Sequence, residues 1–197
     1  MKVIGITGGV GCGKSMVLDL IKENFNAYIV KADDVARHVL DKGEEGYYKA
    51  LDFFGDEILD ENSQINRNRL AEIVFNDSEK LGVLNGIVHP VVKENIKKEI
   101  SSVRSCGKYD YFIVEAALLF DDHYESFCDE VWYIYADYDV RVKRLIESRG
   151  YSLQKIAGIM GNQMSEEEFR EKSDYVIDNS NGIEETLAQL KKKLVEE

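Results

Sequence analysis

The stretch GITGGVGCGKSMVLDLIKENF, Gly5 to Phe25, constrains the fold more than any other part of the sequence. An apolar run, KVIGIT, ends in a loop carrying Gly8, Gly9, Gly11 and Gly13, then Lys14 and Ser15, and an amphipathic pattern follows at once. The spacing Gly8-x-x-x-x-Gly13-Lys14-Ser15 is a complete phosphate-loop motif, placed after a strand and before a helix as its physics requires. Glycines let the backbone turn its N–H groups inward as a nest for phosphate oxygens, and the following helix adds the positive end of its dipole. The motif predicts that Gly8, Gly11, Cys12, Gly13, Lys14, Ser15 and Met16 line a nucleotide's phosphates. Lys14 is expected to stand exposed until a nucleotide arrives and then reach the β and γ phosphates, while the Ser15 hydroxyl completes the coordination of Mg²⁺ brought with ATP. A thiol at a helix N-terminus can be reactive, yet at Cys12 the loop demands only a small side chain.

Composition narrows the partners. Twenty-five basic against 37 acidic residues leave a net charge of −12, which argues against nucleic acid and anionic membranes as ligands. A polyanionic substrate must therefore be held by local donors. With 44% apolar residues in 197, the chain can build one sizeable core. It has no apolar run long enough for a bilayer and no signal-peptide pattern at MKVIGIT, so the expected compartment is the cytoplasm. Cys12, Cys106 and Cys128 are scattered without metal-binding spacing and are expected to be free thiols.

Strand character recurs at AYIV (27–30), YDYFIVEA (109–116), EVWYIYA (130–136) and DYVIDN (174–179), with helical patterns between. Such alternation predicts a mainly parallel sheet covered on both faces, an α/β fold in three layers. From 33 to 104 the pattern is largely helical, an insertion into that fold. Its one proline, Pro90, predicts a helix break at His89 and Pro90. The domain plan is a single phosphate-loop domain: core 1–32, 105–140 and 173–197, a helical insertion 33–104 that would bind the second substrate, and a lid 141–172.

The motif alone does not separate GTPases, ATPases and small-molecule kinases. The guanine-reading Asn-Lys-x-Asp is absent from the sequence, while chain size, the insertion and the charged helix DYDVRVKRLIESRG, with the look of a closing lid, favour a kinase. Asp33 stands just past the second strand, where a carboxylate faces the crevice in which such sheets bind ligands. It can accept a hydroxyl proton, help typically worth ~10²–10⁴ in rate. Its alternative role is an N-cap for DVARHVL. Arg37, one turn on, can pair with a substrate phosphate or with Asp33. Arg141 and Arg144 share a helix face and Arg149 ends that helix, so two or three planar guanidinium groups can descend on the γ-phosphate. Arg37, Arg67 and Arg69 are the basic groups that could meet an anionic acceptor. Trp132 and the tyrosines read as core or as a wall for adenine and an acceptor's arm.

TGGVGCGKS, KADDVARHVL, INRNRLAEIVF, VHPVV, IVEAALLFD, VKRLIESRG and SDYVIDNS occur in an order and spacing that resemble the dephospho-CoA kinase family over nearly the whole chain. The resemblance implies a five-stranded sheet in the order 2-3-1-4-5 and transfer of the ATP γ-phosphate to the ribose 3′-hydroxyl of dephospho-CoA. It also implies Asp33 as the catalytic carboxylate, with Arg144 and Arg149 at the lid positions. Asp33, Lys14 and Arg144 are thus the expected catalytic set, with Arg149 added to the ATP site and Arg37 and Arg67 to the acceptor site. A monomer is the expected state. The chain departs from the common pattern at Lys31, where many members carry a second aspartate, at Ala117 for proline, at Asp121 for glutamate, and at Ile159 for a lid arginine. A nucleoside or nucleoside-monophosphate kinase and a non-catalytic ATP-sensing switch are the alternatives.

Overall fold

The computed structural model describes residues 1–75 and 77–195. Residue 76 of the expected insertion and residues 196 and 197 of the expected core lie outside them. Five strands, β1 (Lys2–Thr7), β2 (Ala27–Lys31), β3 (Tyr111–Glu115), β4 (Glu130–Tyr135) and β5 (Tyr175–Asp178), form one sheet in the order β2-β3-β1-β4-β5. β1 pairs in parallel with β3 and β4, and β4 with β5. The order is the one expected. Each strand is shorter than its apolar run or ends within a residue or so of it, because flanking residues of the run leave the ladder.

The chain divides into two compact units, one of residues 1–29 and 103–197 and one of residues 30–102. In the first, strand residues alternate between two covered faces. Ile4, Ile6, Ile113, Trp132, Ile134 and Ile177 share a core with Val17, Leu18 and Ile21 of α1 (Lys14–Asn24) and Leu190 and Leu194 of α9 (Ile183–Val195). On the other face Gly5 lies against Leu119, Cys128 and Val131. There Tyr133 stacks on Phe169 of α8 (Glu166–Lys172), with centroids 4.8 Å apart and rings 6° from parallel. Burial on both faces explains why the central strands β1, β3 and β4 read as continuous apolar runs. Trp132 is fully buried and gives its Nε1–H to Glu130 at 2.9 Å, so it belongs to the core and not to a ligand wall.

The second unit is helical: α2 (Ala32–Val39), α3 (Glu45–Phe54), α4 (Arg67–Phe75) and most of α5 (Ser78–Cys106). Tyr47, Ala50, Phe54, Ile58, Ile65, Leu70 and Val74 form its core. The break expected at His89 and Pro90 does not occur, and α5 runs through both. Proline removes one helix bond, to the carbonyl four residues back, here that of Gly86. Both Gly86 and Pro90 are exposed, so water can satisfy that carbonyl, and burial of Val92, Ile96, Ile100 and Val103 at helical spacing sustains the helix beyond.

Candidate active site

After Thr7 the chain turns through Gly8–Gly13 into α1. Gly13 caps that helix with φ 88°, a left-handed backbone that disfavours any side chain, and a Cβ there would stand 2.3 Å from Asn179 Nδ2. The first helical N–H to bond back is that of Val17, to Gly13 O at 3.2 Å. The N–H groups of Lys14, Ser15 and Met16 therefore have no acceptor within the helix and are available to an anion. Two neighbouring N–H groups are used within the protein. Cys12 N–H, expected among the phosphate donors, bonds Gly9 O at 3.3 Å and closes a turn inside the loop. Val10 N–H goes to Gln163 Oε1 at 2.9 Å.

Lys14 is not exposed as expected. Its side chain is 16% accessible, with Nζ giving a hydrogen bond to Gly8 O at 2.7 Å and lying 3.9 Å from Glu115 Oε1 at the end of β3. The ammonium takes the nearest carbonyl and carboxylate in place of water. Ser15 is exposed in the first turn of α1. The Cys12 thiol is buried, and burial pushes its pKa up despite the charges of Lys14 and Arg141. The reactive-thiol reading fails on that ground.

Helix α6 (Tyr138–Arg149) brings two of its three arginines onto the loop. Arg144 gives Nη1–H to Cys12 O at 3.3 Å and Nη2–H to Asn179 O at 2.9 Å. Arg141, which was outside the expected catalytic set, gives Nε–H to Val10 O at 2.9 Å. Arg149 does not reach the loop; it is exposed, its guanidinium 5.9 Å from the centre of the Tyr151 ring. The helix is anchored at its far end by Gly150 in the left-handed cap position. Asn179, just past β5 and fully buried, gives Nδ2–H to Cys12 O at 2.7 Å and accepts the Thr186 hydroxyl at 3.0 Å. Gln163, Asn179 and Glu115 were missed from sequence, since none belongs to the loop motif. Glu115 and Asn179 fall in IVEAALLFD and SDYVIDNS, two of the segments that carry the family resemblance, and that is the signal by which they could have been found.

The other expected site residues belong to the helical unit. Asp33 lies in the first turn of α2, whose N-cap is Lys31, and it makes no cap bond, so the capping role is overturned. It is exposed and has no side-chain partner among the described residues. Arg37 pairs with Asp34 at 3.1 Å and not with Asp33. Arg67 pairs with Asp41 at 2.9 Å and also bonds the Arg37 carbonyl. Asp41 is held below the usual carboxylate range, first by its hydrogen bond with His38 and then by Arg67. Arg69 is spent on the carbonyls of Glu57 and Leu59, at 3.0 and 2.9 Å, and serves the fold of this unit.

A glycine loop between a buried parallel strand and a helix, topped by one lysine and two arginines that bond its own carbonyls, defines a phosphate-loop kinase. The model of the dephospho-CoA kinase family matches residues 2–185. The chain belongs to that family, whose enzymes carry out the last step of coenzyme A biosynthesis. The dephospho-CoA kinase of Carboxydothermus hydrogenoformans is 40% identical over 190 residues, covering 96% of this chain and 91% of its own length. A Thermus thermophilus crystal structure superposes with TM-score 0.79 at 28% identity, covering 99% of this chain and 97% of that one. Dephospho-CoA kinase from Campylobacter jejuni gives 0.72 at 26%, covering 98% of both chains.

Proposed function

We propose that the enzyme transfers the γ-phosphate of ATP to the ribose 3′-hydroxyl of dephospho-CoA. The observation that carries the reading is the cluster of Lys14, Arg141 and Arg144 on the loop backbone, a local cationic site in a chain of net charge −12. Phosphoryl transfer passes through a loose transition state with charge spread over the phosphate oxygens, so positioning and electrostatics supply most of the catalysis. The N–H groups of Gly11, Gly13, Lys14, Ser15 and Met16 receive the phosphates. Lys14 Nζ leaves Gly8 O for the β and γ phosphates, exchanging a neutral acceptor for a charged one, which is the stronger bond. Arg144 lies against the same loop, and Arg149, whose guanidinium stands over the Tyr151 ring, supplies an outer contact to the nucleotide.

No group of three or more metal-ligating side chains exists among the described residues. Mg²⁺ is bound through few protein oxygens beside substrate phosphates and water, and the exposed Ser15 hydroxyl at the helix start is the group that would hold it. When bound, the ion neutralises charge on the β and γ phosphates. Asp33, with its carboxylate unengaged, is the proposed acceptor of the 3′-hydroxyl proton. Arg37 and Arg67 are the proposed cations for the acceptor's pyrophosphate, released from Asp34 and Asp41. Both ion pairs are exposed and worth little, so exchange costs about 1 kcal/mol or less. Residues 141–172 are the proposed lid. A monomer is the proposed active unit, and the bacterial relatives support a cytoplasmic site of action. No helix among the described residues is long and apolar enough to cross a membrane.

The test is a coupled ADP-release assay with Mg-ATP against dephospho-CoA, adenosine and AMP at matched ionic strength. Dephospho-CoA should have by far the highest kcat/KM. Equality of adenosine or AMP with it would favour a general nucleoside or nucleotide kinase.

A further inference from the structure

The peptide of Val10 is held at both ends by side chains from outside the loop. Its N–H goes to Gln163 Oε1 at 2.9 Å, and its carbonyl accepts Arg141 Nε–H at 2.9 Å. The two side chains also meet, Arg141 Nη2 lying 3.5 Å from the same Gln163 oxygen. The guanidinium is pressed against the loop: a Cβ on Gly9 would be 2.4 Å from Arg141 Nη2. Gln163 is itself fixed. It lies between α7 (Leu153–Gly161) and the N-cap of α8, with its own N–H on Met160 O at 3.2 Å. Two residues on, Ser165 and Glu168 form a capping box, and Phe169 of the same helix stacks on Tyr133.

We infer that Gln163 is a positioning residue for phosphoryl transfer, holding Arg141 across Gly9 and Val10 so that its charge meets the terminal phosphate of bound ATP. A neutral amide suits this task. Its oxygen accepts from Arg141 and from the loop at once, yet leaves the guanidinium charge uncancelled for phosphate. A glutamate would accept from the same two donors but would form an ion pair with Arg141 and place a negative charge beside the incoming phosphate. Without an acceptor at 163, Arg141 keeps one bond to Val10 and regains the rotamers of a long side chain. The inference rests on the kinase reading given above.

The test compares Gln163→Ala, Gln163→Glu, Arg141→Ala and the double variant Gln163→Ala/Arg141→Ala, with thermal melts to establish that each is folded. Gln163→Ala should lower kcat roughly tenfold, the scale of one bond to a charged group. Gln163→Glu, which keeps both hydrogen bonds and so the local fold, should lose at least as much. Adding Gln163→Ala to Arg141→Ala should change kcat less than about twofold, because the glutamine acts through the arginine. The inference is overturned if Gln163→Ala costs threefold or less, if Gln163→Glu retains wild-type kcat, or if the losses of the two alanine substitutions multiply. Should the unsubstituted enzyme fail to phosphorylate dephospho-CoA, that failure belongs to the acceptor assignment. The same four variants, compared for Mg-ATP affinity by calorimetry, then decide the clamp by the same non-additivity.

Discussion

Replacing Asn179 by alanine tests how the phosphate loop is held from below. The wild-type side chain is fully buried and makes two bonds, to Cys12 O at 2.7 Å and from the Thr186 hydroxyl at 3.0 Å. In the variant, Cys12 O keeps only Arg144 Nη1 at 3.3 Å, and Thr186 keeps only Gly182 O at 3.4 Å. Two lost bonds at about 1 kcal/mol each, with a penalty for poorly satisfied buried groups and a small cavity, sum to about 2–4 kcal/mol. For a chain of this size that lowers Tm by roughly 5–12 °C. Asn179→Asp should cost at least as much, because an acceptor oxygen then faces Cys12 O inside the protein. Urea unfolding followed by circular dichroism gives the energies, and calorimetry with Mg-ATP should show weaker binding in both variants, since Cys12 is the centre of the loop. If both variants unfold within about 0.5 kcal/mol of wild type, the range of an inconsequential surface change, the buried amide does not hold the loop.

Lys14→Ala should abolish turnover with Mg-ATP while leaving Tm within a few degrees of wild type, because it removes one hydrogen bond, to Gly8 O, and one 3.9 Å ion pair, with Glu115; near-native turnover would remove the phosphate-loop assignment. Asp33→Asn should leave the melting curve unchanged, as Asp33 caps nothing, and lower kcat by about 10²-fold or more; equal modest losses in stability and rate would return the residue to a structural role. Thiol alkylation at pH 8 should label exposed Cys106 and spare the other two cysteines. Burial pushes the Cys12 thiol up and Cys128 to about 12, so both stay protonated through that pH. Rapid labelling of Cys12 by iodoacetamide, followed by mass spectrometry, would contradict its burial.

What could be read from the sequence was what local spacing determines. The phosphate loop, its strand and its helix lie in one continuous stretch, Lys2 to Asn24, and the central strands β1, β3 and β4 show as apolar runs because they are buried on both faces. Pro90 misled because a local rule ignores solvent: the cost of the lost bond is small where Gly86 is exposed, and the buried stripe beyond it outweighs that cost. The alternative role of Asp33 as a cap falls away because α2 starts directly from β2, leaving Lys31 at the N-cap. Arg141 and Arg144 were legible as a pair three apart on one helix, but only the folded chain shows that both, and not Arg149, bond the loop carbonyls. Asn179 and Gln163 reach the loop from 167 and 153 positions away, a distance no local pattern encodes.

The most direct measurement is the identity of the product. Incubated with Mg-ATP and dephospho-CoA, the enzyme should convert the acceptor to a species one phosphate heavier, and ³¹P and ¹H NMR should place the new monoester on the ribose 3′-oxygen, in stoichiometry with ADP. ADP formed without change in the acceptor, or a phosphate at any other oxygen, would contradict the account.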